Sequence, residues 1–190
     1  GLDTHVDFTG TIRASDGIAL AGRVSYMAQS DLLLPWATIL QNVCLGSRLR
    51  GEQPDRGKLN EVITNVGLVD HIHKRPAQLS GGQRQRIGIA RALALDPDIL
   101  VADEPVSALD VSIQAQILDL LDQIRKEMDL SMLFITHDLR VAAQVCDFVA
   151  VMQKGRVVEV GATHKIFTQP QHEYTKSLLD AVPGKDWHFA

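Results

Sequence analysis

The chain has 190 residues, of which 45% are hydrophobic and 22% charged, and its formal net charge is −4. This length and composition are typical of one globular domain with its own core. The negative charge argues against a nucleic-acid-binding surface, which is normally basic. No apolar run approaches the ~20 residues of a membrane-spanning helix, and the first residues lack the pattern of a signal peptide. Cys44 and Cys146 are far apart in the chain and are predicted to be free thiols.

The amino-terminal part is predicted to form two strands. They cover Thr9–Arg13 and Gly22–Ala28, and a Ser-Asp-Gly turn separates them. Gln29 follows the second strand directly and opens a loop.

An apolar segment, Leu32–Trp36, comes next. Pro35 suits the first turn of a helix, and the apolar residues that continue on one helical face are Ile39, Leu40 and Val43. Leu32–Trp36 has two interpretations of about equal weight. It is either ordinary core, or a docking surface for a partner, because Trp36 is costly to expose.

The rest of the chain alternates helices and strands. Apolar stripes predict helices over Lys58–Leu68, Gly82–Leu95 and Ser112–Met128, so residues 30–92 are predicted to be mostly helical. After these come a strand at Ser131–Ile135, a helix at Leu139–Val145, a hairpin of Asp147–Gln153 with Arg156–Val160, and helices at Ala162–Phe167 and His172–Val182.

Two neighbouring stretches carry chemistry. Gly81 and Gly82 form a turn that opens a helix and allows a ligand to approach the backbone closely, and the unpaired N–H groups of a first helical turn favour an anion such as phosphate. The apolar run Ile99–Ala102 delivers Asp103 and Glu104 to a strand end, where α/β proteins bind ligands. Together they indicate metal-assisted phosphate chemistry.

Five motifs in order resemble those of ABC transporter ATPase subunits. They are the Q-loop glutamine Gln29, the signature Leu79-Ser80-Gly81-Gly82-Gln83, a Walker B strand at Ile99–Glu104, a D-loop at Ser107–Asp110 and a switch histidine, His137. The resemblance implies an α/β fold with a parallel-sheet core like that of P-loop NTPases. Residues 1–29 and 93–162 would form the sheet core, residues 30–92 the inserted helical subdomain and residues 163–190 the C-terminal helices.

The resemblance also implies residue roles in Mg²⁺-dependent ATP hydrolysis. Asp103 would bind Mg²⁺ directly or through water, and Glu104 would be the general base for the attacking water. His137 would contact the γ-phosphate and orient Glu104, while Gln29 would sense Mg²⁺ and the γ-phosphate. The alternatives are a strand-end acid paired with an arginine for Glu104 and a core histidine for His137.

The signature segment would serve a different nucleotide. The residues implied to bind the γ-phosphate of ATP held by a second ATPase subunit are Ser80, Gly81, Gly82 and Gln83, and Asp110 would lie at the interface of this head-to-tail dimer. The chain contains no Gly-x-x-x-x-Gly-Lys-[Ser/Thr] P-loop. It is therefore expected to be an amino-terminally truncated subunit that does not hydrolyse ATP alone and that exposes unpaired strand edges.

The family resemblance implies partners and a location. The subunit would bind transmembrane permease subunits at the cytoplasmic face of the inner membrane, with no nucleic-acid partner. Residues 25–43 resemble ATPases of nitrate, sulfonate or thiamine-precursor importers, whereas residues 84–91 and 169–179 resemble those of peptide and nickel importers, and the longer match favours a peptide-type importer. A non-transport ABC ATPase and a non-catalytic nucleotide-binding fragment are the alternatives.

Overall fold

The computed structural model describes residue 12 and residues 14–182. The strands are β1 (Val24–Met27), β2 (Ile99–Asp103), β3 (Ser131–Ile135), β4 (Phe148–Gln153) and β5 (Arg156–Ala162). The α-helices are α1 (Ile39–Val43), α2 (Leu45–Leu49), α3 (Arg56–Asn65), α4 (Gly81–Leu93), α5 (Val111–Glu127), α6 (Leu139–Val145), α7 (Thr163–Thr168) and α8 (Glu173–Asp180). Two single-turn 3₁₀ helices lie at Val69–His71 and Pro76–Gln78.

A parallel sheet in the order β1-β2-β3 forms the centre of the fold. Tyr26, Val101 and Leu133 stand in register across the three strands. One face packs against α4 and α5 through a core that includes Leu100, whose side chain is fully buried. The predicted α/β class is confirmed, and helices α1–α4 lie between β1 and β2 in the chain, where the helical insertion is predicted.

The opposite face of this sheet stays open over the described residues. Tyr26, Leu133 and Ile135 are exposed there, and β3 pairs only with β2 within the described part of the chain. In the part of the chain that the structure describes, this sheet therefore has unpaired edges and exposed apolar side chains, as the sequence predicts.

Helix α1 begins later than the sequence predicts. Thr38 caps it through a capping box with Gln41, so the helix starts at Ile39 and Pro35 lies in the preceding turn. The placement of Pro35 in the first helical turn is wrong because the capping pair fixes the start of the helix four residues after it.

Asn42 organises the loop before α1 from inside the core. Its side chain is fully buried. The Oδ1 atom accepts from the Leu34 N–H at 2.8 Å, and Nδ2 donates to the carbonyls of Leu34, Ala37 and Thr38 at 3.0–3.3 Å. One side chain thus contacts four backbone groups around a loop that has no regular structure of its own, and it is the one hydrogen-bond partner of the Leu34 N–H and the Ala37 carbonyl among the described residues.

The predicted hairpin forms, with β4 and β5 antiparallel and a register shift at Val151/Met152. It packs with α6, α7 and α8 around a second, smaller core. Glu159 on β5 accepts hydrogen bonds from the backbone N–H groups of Gln171 and His172, which lie at the start of α8. Desolvation raises the pKa of Glu159, but the nearby Thr175 hydroxyl and these two N–H groups together lower it below its usual value.

Three further predictions concern the first strand, the two thiols and membrane-spanning helices. The predicted strand Thr9–Arg13 lies outside the described residues except for Ile12. The thiols of Cys44 and Cys146 are both free, as predicted, and burial raises the pKa of each. Within the described residues, no helix is long and apolar enough to cross a membrane.

Candidate functional site

The carboxyl ends of the three parallel strands carry four of the predicted site residues. Gln29 lies two residues after β1, Asp103 ends β2 with Glu104 directly behind it, and His137 lies two residues after β3. Because the strands are parallel, these ends meet at one edge of the sheet, which is where ligands bind in open α/β folds.

Glu104 is the centre of this cluster. Its Oε2 accepts a hydrogen bond from Gln29 Nε2 at 2.7 Å, and its Oε1 lies 2.7 Å from His137 Nδ1. The backbone N–H of Glu104 donates to the Ile135 carbonyl at 2.9 Å, while its φ of 45° is in the left-handed region that an acidic residue seldom adopts. The carboxylate is thus fixed from both sides, by the residues that follow β1 and β3.

The contacts of Glu104 and the exposure of His137 bear on the alternative interpretations of both residues. Among the described residues, Glu104 pairs with a histidine and a glutamine, not with an arginine. The His137 side chain is 73% exposed, so it is not a core histidine. With Nδ1 turned to Glu104, Nε2 remains available to a ligand.

Asp103 has a partner that the sequence did not predict. The Tyr26 hydroxyl donates to Asp103 Oδ2 at 2.6 Å, and because the carboxylate stabilises the protonated phenol, it raises the pKa of Tyr26. The register of the two strands brings these residues together, and no pattern in the sequence showed it. Tyr26 aligns with Val101, two residues before Asp103, so both side chains lie on the same face of the sheet.

The donors at this edge suit a hard cation. Asp103 and Glu104 supply carboxylate oxygens and Gln29 an amide oxygen, which are the ligands that Mg²⁺ prefers. Among the described residues, no group of three or more His, Cys, Asp or Glu side chains could hold a metal ion by itself. Mg²⁺ is usually bound in proteins by one or two carboxylates together with water and the phosphates of a substrate.

The signature segment forms the start of α4. Ser80 is the N-cap: its Oγ accepts from the Gln83 N–H at 3.2 Å, and Gln83 Oε1 accepts from the Ser80 N–H at 3.0 Å. The N–H groups of Gly81 and Gly82 have no acceptor within their own helix. Ser80 is exposed, so this helix start can be reached from solvent.

Gly82 also has a packing role that the sequence did not predict. A Cβ at this position would lie 2.7 Å from Ile113 Cγ2 on α5, whereas a Cβ on Gly81 would meet Leu109 at an ordinary 3.7 Å. Gly82 thus allows α4 and α5 to approach closely. Asp110 is the exposed N-cap residue of α5, and its side chain makes no capping hydrogen bond.

The structure does not join the signature segment to the Glu104 cluster. Among the described residues, no hydrogen bond links Ser80–Gln83 to Gln29, Glu104 or His137. A connection exists further along α4, where the buried Gln85 side chain donates to the carbonyl of Pro105, the residue after Glu104. Gln85 was not predicted, because only the fold brings it to that carbonyl.

The apolar segment Leu32–Trp36 is divided between two environments. Leu33 packs against the main core, whereas Leu32 is 63% and Trp36 70% exposed. A groove of about 480 Å³ lies beside Trp36, and it is lined by Leu34, Trp36, Ala37, Gln41, Leu45, Arg48 and Leu49. The core interpretation is right for Leu33 and wrong for Leu32 and Trp36.

Comparison with known proteins adds a family and a set of relatives. A family model described as ABC transporter matches residues 6–107, a little over half of the chain. The oligopeptide transport ATP-binding protein AmiF of Streptococcus pneumoniae is 50% identical over 138 residues, which are 72% of this chain and 45% of that protein.

Two further relatives have similar names. A putative peptide import ATP-binding protein of Brucella ovis is 54% identical over 172 residues, or 86% of this chain and 54% of that protein. The oligopeptide transport ATP-binding protein OppF of Streptococcus pyogenes is 49% identical over 136 residues, or 71% of this chain and 44% of that protein. The chain spans about half the length of the curated relatives it matches.

Proposed function

The chain belongs to the ABC transporter family, and we propose that it is part of an ATP-hydrolysing subunit that powers peptide import through a membrane permease. The observation that carries the proposal is Glu104 held at 2.7 Å by both Gln29 and His137 at the carboxyl end of the sheet. The printed names of the relatives, which are peptide import or oligopeptide transport ATP-binding proteins, support the substrate class.

Glu104 is the general base in this proposal. It takes a proton from the water that attacks the γ-phosphate, and a positioned base of this kind contributes roughly 10²–10⁴-fold to the rate. Gln29 and His137 keep the carboxylate in one orientation, so that Glu104 loses less conformational entropy on reaching the transition state. In its imidazolium form, the exposed His137 ring donates to Glu104 from Nδ1 and can also donate a hydrogen bond to the phosphate from Nε2.

Asp103 holds Mg²⁺ in this proposal, with Gln29 nearby. The cation would neutralise part of the charge on the phosphates of ATP. Tyr26 donates to Asp103 Oδ2, which leaves Oδ1 free for a metal or for its water. This assignment agrees with the oxygen-rich donor set at the strand ends.

The signature segment would serve ATP bound by another subunit. Support comes from the free first-turn N–H groups of α4 and from the exposure of Ser80. Each active site would then combine Ser80–Gln83 of one subunit with Glu104 and His137 of another in a head-to-tail dimer, and Asp110 would lie at the interface. Since the 190 residues contain no P-loop motif, we expect this polypeptide alone not to hydrolyse ATP.

The groove beside Trp36 would receive the permease. An exposed tryptophan and the exposed Leu49 beside an open groove are typical of a docking surface, and Arg48 adds a positive charge at its wall. Such docking would place the subunit peripherally at the cytoplasmic face of the membrane.

The test uses ATP hydrolysis and labelled-peptide uptake by the full-length natural protein reconstituted with its permease. Glu104→Gln should lower hydrolysis by roughly 10²-fold or more while ATP still binds. The matched control is Glu173→Gln, because this carboxylate is exposed on α8, far along the chain from the strand ends. Hydrolysis by the Glu104 variant within a few-fold of the natural protein would refute the assignment. Hydrolysis stimulated by a substrate other than peptide would refute the substrate class alone.

A further inference from the structure

The loop that follows Gln29 is bound by an arginine of the signature helix. Arg91 Nη1 donates to the Leu32 carbonyl at 2.9 Å, and Arg91 Nη2 donates to the Asp31 carbonyl at 2.8 Å. Both donors belong to one planar guanidinium, so the two carbonyls are fixed relative to each other and to α4.

A second arginine on the same helix binds the same loop. Arg84 Nε donates to Asp31 Oδ2 at 3.2 Å, while Arg84 Nη1 donates to the Leu79 carbonyl at 2.9 Å, directly before the signature serine. Arg84 and Asp31 are both more than a third exposed, and an ion pair of that exposure contributes little. Arg91 is therefore the stronger of the two attachments.

The loop is held in a conformation that it would not adopt freely. Leu32 has a φ of 44°, in the left-handed region, which is energetically unfavourable for a residue with a side chain. The surrounding contacts must offset this cost, and the Leu32 carbonyl is one of the two groups bound by Arg91. Gln29 lies only two residues before Asp31. A movement of the Asp31 and Leu32 carbonyls would therefore also move Gln29 and alter its 2.7 Å hydrogen bond to Glu104.

We propose that Arg91, assisted by Arg84, is a positioning residue that ties the loop after Gln29 to the signature helix. The position of the Gln29 side chain at Glu104 then depends on the position of α4. This inference rests on the proposed role of Gln29 at Glu104. It adds that the Arg91 and Arg84 side chains of α4 fix the loop after Gln29.

Arg86 provides a matched control on the same helix. Its Nη1 donates to the Val66 carbonyl at 3.0 Å, which is the same type of bond but to a loop after α3. The variants Arg91→Lys and Arg86→Lys keep the charge and the helix propensity of the side chain, whereas a lysine lacks the planar fork that binds two carbonyls.

The first measurement is amide hydrogen exchange in the full-length natural protein without nucleotide. Arg91→Lys should speed exchange of residues 31–34 by roughly tenfold, the effect of losing one hydrogen bond from a charged donor. Arg86→Lys should affect residues 66–68 instead. If exchange of residues 31–34 is unchanged in both Arg91→Lys and Arg91→Gln, Arg91 does not hold this loop and the inference is overturned. Arg84→Lys, with its weaker attachment, should give a smaller change and keeps the test available if the Arg91 variants fail to fold.

The second measurement is a double-mutant cycle on ATP hydrolysis with Gln29→Ala. If Arg91 acts through Gln29, Arg91→Lys should slow hydrolysis by roughly tenfold in the natural background but by less than about twofold when Gln29 is already alanine. Equal slowing in both backgrounds would overturn the positioning role and leave the proposed function intact. If the natural protein hydrolyses no ATP, the proposed function fails. The exchange measurement alone then decides whether Arg91 holds the loop after Gln29.

Discussion

Replacing Gly82 with alanine tests whether this glycine is needed for packing. The new Cβ would lie 2.7 Å from Ile113 Cγ2, well inside normal contact. Cγ2 is a methyl on a β-branched residue within a helix, where χ1 is nearly fixed, so it cannot simply rotate away. Overpacking of this kind costs about 1–3 kcal/mol, and it outweighs the gain of up to ~1 kcal/mol from alanine's helix propensity. We expect the free energy of unfolding to fall by about 1–2 kcal/mol.

Gly88 on the same helix is the matched control. A Cβ there would meet no heavy atom within 4 Å, so Gly88→Ala should raise the free energy of unfolding by roughly 0.5–1 kcal/mol. Thermal unfolding followed by circular dichroism should place Gly82→Ala about 2–8 °C below the natural protein and Gly88→Ala above it. Ile113→Ala removes Cγ2. In a protein that already carries Ile113→Ala, Gly82→Ala should therefore lower the free energy of unfolding much less than it does in the natural protein. If Gly82→Ala melts at or above Gly88→Ala, the packing explanation is refuted.

Three further predictions concern stability, acid and thiols. Asn42→Ala leaves the Leu34 N–H and the Ala37 carbonyl without a hydrogen-bond partner among the described residues, so it should lower the free energy of unfolding by about 2–4 kcal/mol in urea titrations; a loss below 1 kcal/mol would contradict this. Because the pKa of Glu159 is lowered in the folded state, its contribution is present above its unfolded pKa of about 4.3 and is lost as the pH falls through the lower folded value. Unfolding scans should therefore show Glu159→Gln losing less stability than the natural protein on acidification below that pH. Since burial raises the thiol pKa of Cys44 and Cys146, both should react slowly with a disulfide reagent at pH 7 and rapidly in urea.

Local patterns were enough to predict most elements. The strand at Ser131–Ile135 and the helix at Leu139–Val145 have the predicted bounds, because alternation and apolar periodicity act over a few residues. The start of α1 was wrong because the preference for proline in a first turn competes with the Thr38–Gln41 capping box. That box is visible in the sequence and was the better signal. Helix α2 was not predicted, since Leu45–Leu49 spans little more than one turn.

The site was predictable in its members but not in its contacts. Parallel strands bring Gln29, Glu104 and His137 to one edge, and this follows from their positions at strand ends. The partners of those residues depend on register and on loop paths. Tyr26 reaches Asp103 across 77 positions of sequence and Arg91 reaches Leu32 across 59, and no local pattern encodes such pairs.

Helix α4 connects the signature segment with the surroundings of Glu104 through a single rigid element. Its first turn carries the signature residues, Gln85 holds the carbonyl of Pro105 next to Glu104, and Arg91 holds the loop after Gln29. Glu104 is therefore flanked on both sides by backbone that α4 fixes. Because Gly82 sets how closely this helix approaches α5, a side chain there would displace the start of α4 from α5. That displacement would disturb Glu104 without touching it, so substitutions along α4 should also change the contacts that hold Glu104 at the strand ends.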